Sequence, residues 1–196
     1  DLAIFQLMRQ DESPLVQYGV NHSMHAAIVC RLVAMRLGWD AASTHRVFQA
    51  ALTMNVSMLE LQGVLAFQGT PPTREQREAI LSHPQRSVRM LEASGVTDRD
   101  WLDAVAQHHE SPDGSGYPAG LTEIGDLAQL VHRADVYTAK LSPRSSREAI
   151  GADRAGREMF MSDPGHPMTA ALVKEFGLYP PGCFVMLASG EVGMVV

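Results

Sequence analysis

Cysteine is scarce in this chain of 196 residues, which contains only Cys30 and Cys183. The two lie far apart, without the short spacing of a cysteine metal site, and Cys30 falls in an apolar run. Unpaired thiols of this kind are typical of proteins in a reducing compartment. The sequence therefore predicts reduced thiols and a cytoplasmic location.

Positive charge and long apolar stretches are also in short supply. Lys and Arg number 16 against 22 Asp and Glu, which gives a net charge of −6 at pH 7. Without a basic field the chain is not expected to bind DNA or an anionic membrane surface. No run of about 18 apolar residues occurs, so we expect no membrane span within this segment, although a parent protein could still be membrane-anchored.

The length and composition are those of one globular domain. With 196 residues, of which 45% are hydrophobic, the chain can bury one good core and is short for two domains. It starts at Asp1, without Met, inside an apolar periodic stretch, which indicates a segment cut from a longer protein with an N-terminal domain. We expect a single domain over residues 1–196.

Most of the chain has the apolar spacing of α-helices. Apolar residues recur at intervals of three and four, as in the series Val47, Ala51, Met54 and Met58. Near the C-terminus, two short apolar segments flank Ser189-Gly190, which predicts a β-hairpin. The predicted fold class is therefore all-α, a helical bundle over about residues 1–178 with a small β-hairpin over about residues 179–196.

Capping and breaking residues predict where individual helices begin and end. Ser43 is the expected N-cap of a helix over residues 44–52. Thr73 and Gln76 form a capping-box pattern that starts another helix. Pro84 is expected to interrupt that helix or to start the next one.

Two adjacent histidines, His108 and His109, stand at the end of an apolar helical segment and precede a turn-forming loop rich in Gly and Pro. Adjacent helical side chains point about 100° apart, so both can reach one metal only where the helix end lies beside it. The alternative is a polar helix terminus, where histidine meets the helix dipole. The residue types indicate metal chemistry beside a recognition loop, with the structural helix end as the simpler alternative.

Further candidate ligands for such a site lie far from the histidine pair: His22, His25, Asn55, His83 and Asp135. Asp135 is the most informative because it falls inside an apolar run, where an unpaired carboxylate is costly. A buried acid at this position requires a cation or hydrogen-bond donors.

Taken in order with the Gly116-Tyr117-Pro118 loop, these residues resemble the HD-GYP family, the branch of the HD superfamily whose members are bacterial phosphodiesterases acting on cyclic di-GMP. The resemblance covers nearly the whole chain and implies the helical bundle of the HD superfamily. It also implies a metal centre built from residues on several helices.

The resemblance assigns metal ligands residue by residue. His22 matches the first histidine of the family, and His83 matches the third. His108 and His109 match the histidine pair, and Asp135 matches the late metal-binding aspartate.

The His-Asp pair that is the signature of the family is replaced in this chain. Its positions hold Met54 and Asn55, and the lysine that usually follows is Met58. Tyr18 stands where some members add a glutamate that binds a third metal. Asn55 cannot bridge two ions as a carboxylate does, and Met54 offers a thioether that hard divalent metals avoid.

We therefore expect the two-metal centre to be lost. The three imidazoles of His83, His108 and His109 suit a single ion. The expected cofactor is none, or one divalent or transition-metal ion such as Zn, Fe, Ni or Mn.

The resemblance also implies contacts to substrate. Tyr117 can stack on a guanine or hydrogen-bond it, and Asp113 and Gly116 belong to the same loop. Arg144 and Arg147 occupy places where the family sets basic residues against substrate phosphates. The simpler alternatives are a tight turn for the loop and a solvated face for the arginines.

Three functions follow from these expectations. The first is a catalytically degenerate HD-GYP domain that serves as a binding or regulatory module in cyclic di-GMP signalling. The second is a weak one-metal phosphodiesterase or phosphohydrolase. The third is a platform that contacts other signalling proteins through the Gly-Tyr-Pro loop, or forms a homodimer, without binding nucleotide.

Overall fold

The computed structural model describes residues 14–142, 145, 149–176 and 184–194. Within these ranges the fold is mostly helical with a short antiparallel hairpin, which confirms the predicted fold class. The elements are α1 (Pro14–Arg36), α2 (Ala41–Thr53), a 3-10 helix (Val56–Met58), α3 (Leu59–Phe67), α4 (Arg74–Ala93), α5 (Arg99–Gln107), α6 (Asp126–Leu141), α7 (Ala152–Ser162), α8 (Pro167–Phe176), β1 (Phe184–Met186) and β2 (Val192–Met194).

Side-chain caps fix where two of these helices start. The N-cap of α2 is Asp40, and the prediction of Ser43 is wrong, because the Asp40 carboxylate accepts the backbone N–H groups of both Ala42 and Ser43. α2 therefore begins three residues before the predicted 44. At α4 the capping box of Thr73 and Gln76 is present as predicted.

Pro84 does not end or start a helix, so that expectation is wrong. α4 runs from Arg74 to Ala93 with Pro84 inside it, and the buried side of the helix around His83 and Ser87 holds it in place. Because proline has no backbone N–H, the carbonyl of Ile80 lacks the donor that the helix would normally supply. That free carbonyl becomes part of the candidate site.

The core forms around α1, which packs against α2, α3 and α6. Two glycines bring α1 and α3 close together: a Cβ added at Gly63 would lie 2.2 Å from the backbone O of Leu15, and one added at Gly19 would lie 2.6 Å from that of Leu59. Cys30 is buried in the core, and burial raises the pKa of its thiol, while Cys183 lies outside the described residues.

By length and composition alone, the stretch Ala41–Phe67 is apolar enough to cross a membrane, with a mean hydropathy of 1.3. In the structure this stretch comprises α2, the 3-10 helix and α3, and it packs against α1. Core helices of soluble proteins pass the same test, so the stretch is weak evidence for a span.

The C-terminal hairpin has the position that the sequence predicts. β1 and β2 pair antiparallel, with Phe184 opposite Met194 and Met186 opposite Val192. Gly190 adopts a φ of 85° in the turn, a conformation that favours glycine.

Candidate metal centre

Three histidines meet where α4 and α5 come together. His83 projects from α4, His108 is the C-cap of α5, and His109 follows it. One nitrogen of each ring lies within 4.8 Å of the others. The structure thus brings together the three residues that the sequence predicts for a single ion.

The orientation of His83 follows from Pro84. Nδ1 of His83 lies 2.6 Å from the carbonyl O of Ile80, the carbonyl that Pro84 leaves without a helical donor. A carbonyl oxygen can only accept, so Nδ1 carries the hydrogen of the neutral ring. The lone pair of Nε2 then points into the site.

His108 is held in the same way. Its Nδ1 lies 2.7 Å from the carbonyl O of Val105. Val105 is in the last turn of α5, where backbone carbonyls have no N–H partner within the helix. The Nε2 atoms of His83 and His108 face each other at 3.1 Å. In the neutral rings both are acceptors, so a cation bound to both would stabilise the pair.

That separation suits shared coordination. With metal–nitrogen bonds of about 2.0–2.1 Å, two imidazoles on one tetrahedral zinc ion have nitrogens about 3.3 Å apart. The donor set therefore fits one transition-metal ion, and the orienting groups are two backbone carbonyls.

Burial keeps these imidazoles neutral at pH 7. It lowers the pKa of His83, and with the nearby imidazoles it holds the pKa of His108 well below its ordinary value. Burial also lowers the pKa of His109 to about 4. Neutral imidazole is the form that binds metals, so no proton has to be removed at neutral pH.

His109 joins the histidines to the Gly-Tyr-Pro loop. The ring of Tyr117 stacks on that of His109 with centroids 4.6 Å apart, and the Tyr117 backbone N–H donates to the His109 carbonyl O at 3.0 Å. Burial and the charge of Asp135 raise the pKa of Tyr117, so the phenol stays protonated. One face of Tyr117 is thus occupied by His109.

Glu110 fixes the far side of the same loop. Its two carboxylate oxygens accept the backbone N–H groups of Ala119 at 2.8 Å and Leu121 at 3.0 Å. The side chain is 4% exposed. The acid that follows the histidine pair is therefore a loop anchor, a role that its position in the sequence did not indicate.

Gly116 and Asp113 shape this loop and its tip. A Cβ at Gly116 would lie 2.3 Å from the backbone N of Ser111, so the close approach of the two strands of the loop requires glycine. Asp113 is exposed and accepts the backbone N–H and the hydroxyl of Ser115, which lower its pKa to about 2. The structure places neither residue in the cavity beside the histidines.

His22 and Asp135, the remaining predicted ligands, bind each other. Nε2 of His22 lies 2.6 Å from Oδ1 of Asp135. Burial alone would raise the pKa of Asp135, but the hydrogen bond from His22 and the neighbouring histidines outweigh it, so the pKa lies well below its ordinary value. The carboxylate expected to bind metal is therefore already paired, and His22 is 3% exposed.

The residues that replace the signature pair point to different places. Met54 is fully buried in the hydrophobic core, whereas Asn55 lines a cavity of about 200 Å³ next to His22, His83 and Asp135. Met58 and Tyr18 line the same cavity. The structure therefore offers an amide and a thioether at the positions where the resemblance implies a carboxylate and a lysine.

Two predicted residues, Arg144 and Arg147, lie outside the described residues. Ser145 between them is described: its backbone N–H donates to the Ala66 carbonyl O and its hydroxyl to the Phe67 carbonyl O, both at 2.7 Å. This residue therefore docks on the end of α3. His25, a weaker candidate, is exposed on α1 and does not line the cavity.

His132 is a neighbour of the centre that sequence reasoning missed. Its Nδ1 donates to the backbone carbonyl O of His108 at 2.8 Å, so it supports the histidine pair from α6. Its position in the sequence could have indicated this role, because His132 lies one helical turn before Asp135 and therefore on the same side of α6.

Removing the Glu110 anchor is expected to destabilise the domain. Glu110→Ala deprives two backbone N–H groups of a charged acceptor, so the free energy of unfolding should fall. The expected loss is about 2 kcal/mol, because the two donors become partly exposed and regain hydrogen bonds to water. Glu110→Gln keeps one acceptor and should cost less. Urea unfolding measures both, with Glu123→Ala on the same connection as the exposed control. Equal stability of Glu110→Ala and the control would contradict the anchor role.

Comparison with known proteins identifies relatives of the whole arrangement. A family model described as HD domain matches residues 9–161. A cyclic di-GMP phosphodiesterase of Pseudomonas aeruginosa is 30% identical over 202 residues, covering 99% of this chain and 47% of that protein. The cyclic di-GMP phosphodiesterase response regulator RpfG of Xanthomonas campestris is 30% identical over 135 residues, covering 65% of this chain and 34% of that protein. The chain spans less than half the length of these curated relatives.

Solved structures share the fold. The HDG"Y"P protein Bd1817 of Bdellovibrio bacteriovorus matches with a TM-score of 0.64 at 18% identity, covering 88% of this chain and 55% of that one. The HD domain of the L. monocytogenes phosphodiesterase PgpH, in complex with cyclic-di-AMP, matches with a TM-score of 0.55 at 16% identity, covering 83% of this chain and 94% of that one. With the family match, this likeness shows that the chain belongs to the HD domain family, as its resemblance to HD-GYP proteins predicted.

Proposed function

We propose that this chain is a catalytically degenerate HD-GYP domain that binds a cyclic dinucleotide and acts as a regulatory module in bacterial cyclic di-GMP signalling. The observation that carries the proposal is Asn55, whose neutral amide lines the cavity at the position of the bridging carboxylate. In two-metal hydrolysis that carboxylate helps to neutralise two ions that activate water and hold the phosphate.

The charges of the described cavity lining support the loss of the second ion. Asp135 is the only carboxylate among those residues, and His22 already binds it. A second ion would lack the bridging carboxylate, and Asp135 would be the only negative charge that these residues offer to it.

A single ion remains compatible with the donor set. His83, His108 and His109 would hold it, and when bound it would supply a Lewis acid to which a phosphate oxygen can bind. The residues of the chain do the rest: Ile80 and Val105 orient the imidazoles through their carbonyls, and Tyr117 packs on His109.

The size of the cavity limits how a dinucleotide binds. Its described part encloses about 200 Å³, below the range of about 300–1,000 Å³ typical of small-molecule pockets. We infer that one portion of the ligand enters and the remainder lies over the rim beside Tyr117. The resemblance to the HD-GYP family assigns phosphate contacts to Arg144 and Arg147. The domain would work in the cytoplasm, whether or not a parent protein is anchored in a membrane.

A second candidate function is a weak one-metal phosphodiesterase. The facing Nε2 atoms of His83 and His108, 3.1 Å apart, favour it because they keep a site for one catalytic ion. A third candidate is a platform that binds another signalling protein or a second copy of this chain, without nucleotide. Its support is the exposed loop tip at Pro112 and Asp113, which Glu110 holds on a fixed base.

Calorimetric titration with cyclic di-GMP, run beside a hydrolysis assay, tests the proposal. We expect binding without hydrolysis, because the bridging carboxylate is absent. Arg144→Ala with Arg147→Ala should weaken binding at least about tenfold, since charge-assisted hydrogen bonds are worth about 1.5–3 kcal/mol each.

The control removes two arginines from the exposed start of α4, Arg74→Ala with Arg77→Ala, and should leave affinity unchanged. Robust hydrolysis by the unaltered chain would contradict the degenerate assignment. Absence of binding at millimolar nucleotide would contradict the nucleotide module and leave the platform.

Pro84→Ala tests whether the proline orients His83. The restored N–H competes for the Ile80 carbonyl, so zinc affinity should fall about tenfold, as for other changes in groups that orient a ligand. Helix propensity favours Ala by about 3 kcal/mol, so stability should not fall. Calorimetric zinc titration and urea unfolding give the two readings, and a parallel loss of both would mean that Pro84 acts through folding alone.

A further inference from the structure

A second cavity, here called the α6–α8 cavity, lies between α6, the turn joining α7 to α8 and the segment 110–112. It encloses about 390 Å³, within the range of about 300–1,000 Å³ of small-molecule sites. It shares no lining residue with the cavity beside the histidines. It is therefore a separate place for a ligand.

Arg133 lines this cavity, and its guanidinium is held in place while only some of its N–H donors have hydrogen-bond partners. Its side chain is 12% exposed. Nε donates to Asp163 Oδ2 and to Thr169 Oγ1. Nη1 donates to the Gln129 carbonyl O at 3.0 Å, and Nη2 donates to Asp163 Oδ2 at 2.5 Å. Three of the five N–H groups of an arginine are thus used, and two find no acceptor among the described residues.

Asp163 complements those donors with a free acceptor. All its described side-chain contacts, from Arg133 and from the Thr169 hydroxyl, go to Oδ2. Oδ1 accepts no hydrogen bond from the described residues. Burial acts to raise the pKa of Asp163, but the hydrogen bonds outweigh it and the pKa lies below its ordinary value, so the group is ionised at neutral pH.

The charges of this pair decide the class of ligand. Arg133 is balanced by Asp163, and Glu110, which also lines the cavity, has both oxygens on loop N–H groups. A free anion would meet two carboxylates, and a free cation would meet Arg133. An uncharged group that accepts hydrogen bonds from the free N–H groups of Arg133 and donates to Oδ1 of Asp163 matches the fixed array.

We propose that the α6–α8 cavity binds the guanine base of a nucleotide, with Arg133 donating to its oxygen and ring-nitrogen acceptors and Asp163 Oδ1 accepting from its N–H groups. Arginine paired with guanine O6 and N7 is a recurrent specific contact. Ile124, Val136 and Met159 supply apolar wall for the ring. Adenine presents an amino donor where guanine has O6, so it would set donor against donor.

This site does not depend on the function proposed for the histidine centre. The test titrates the chain with GMP, and with AMP and inorganic phosphate as probes for the wrong base and for phosphate alone. We expect GMP to bind at least about tenfold more tightly than AMP, and phosphate to show no binding at the same concentrations.

Asp163→Asn is the informative variant because it keeps the shape of the side chain and leaves Arg133 an acceptor. It removes the charge and puts an amide where N–H groups of guanine need an acceptor, and GMP affinity should fall at least about tenfold. Val136→Phe fills the cavity from an apolar wall and should abolish binding by exclusion. Circular dichroism and urea unfolding confirm that both variants fold.

His83→Gln is the control that removes the other centre. GMP affinity should be unchanged in this variant, because His83 does not line the α6–α8 cavity. Loss of GMP binding in His83→Gln, equal affinity for AMP, or no GMP binding at millimolar concentration would each overturn the proposal.

Discussion

The substitution His108→Gln should weaken zinc or nickel binding at least about 100-fold, more than the 10–100-fold typical of changes to groups that merely orient a ligand. The side chain of His108 is fully buried, and its Nε2 faces Nε2 of His83 at 3.1 Å. Glutamine keeps much of the volume and a donor for the Val105 carbonyl but presents no imidazole nitrogen. The unaltered chain should hold one ion at most.

Elemental analysis of the purified protein and competitive zinc titration give these numbers. His45→Ala is the matched control, because His45 is an exposed histidine on α2 away from the cavity. Affinity unchanged by His108→Gln would show that the metal is held elsewhere, and two or more tightly bound ions per chain would contradict the single-ion expectation.

Gly63→Ala should lower the free energy of unfolding by about 3 kcal/mol, at the upper end of the usual cost of overpacking. The added Cβ would lie 2.2 Å from the Leu15 carbonyl O and 2.3 Å from its Cα, and both are backbone atoms that move only if α1 moves. Elsewhere in a helix interior the same change is favourable, because alanine has the higher helix propensity.

Gly156→Ala is the matched comparison, because it should change the free energy of unfolding in the opposite direction. Gly156 is buried in α7, but its added Cβ would meet only Val173 Cγ2 at 3.8 Å, an ordinary contact. Stability should therefore rise by about 0.5–1 kcal/mol. Urea unfolding of the two variants decides the point, and a stabilising Gly63→Ala would refute the close approach of α1 and α3.

The fold was predictable because it left a local signal, the apolar periodicity of the helices. The adjacent His108 and His109 before a Gly-rich loop indicated a metal centre, whereas the resemblance to the HD-GYP family assigned His83 to it. The place of Asp135 in an apolar run indicated that its carboxylate requires a partner, and His22 is that partner in the structure. What the sequence did not show was that the two would satisfy each other.

The remaining features depend on contacts between segments that are far apart in the chain. The role of Glu110 needs the loop to fold back to Ala119 and Leu121 before the acceptor has donors. The α6–α8 cavity needs Arg133 and Asp163, which are thirty residues apart, to meet. Pro84 was misread because proline usually ends a helix, whereas here packing of α4 outweighs the lost hydrogen bond.

The backbone carbonyls that orient His83 and His108 have an evolutionary consequence. Where the group behind a metal-binding histidine is a side-chain carboxylate, a single codon change can remove it. Here the supports belong to Ile80 and Val105 and persist whatever side chains those residues carry. His83 and His108 can therefore keep their orientation while neighbouring positions change, so a chain that carries Met54 and Asn55 can still hold three imidazoles in an arrangement suited to a metal ion.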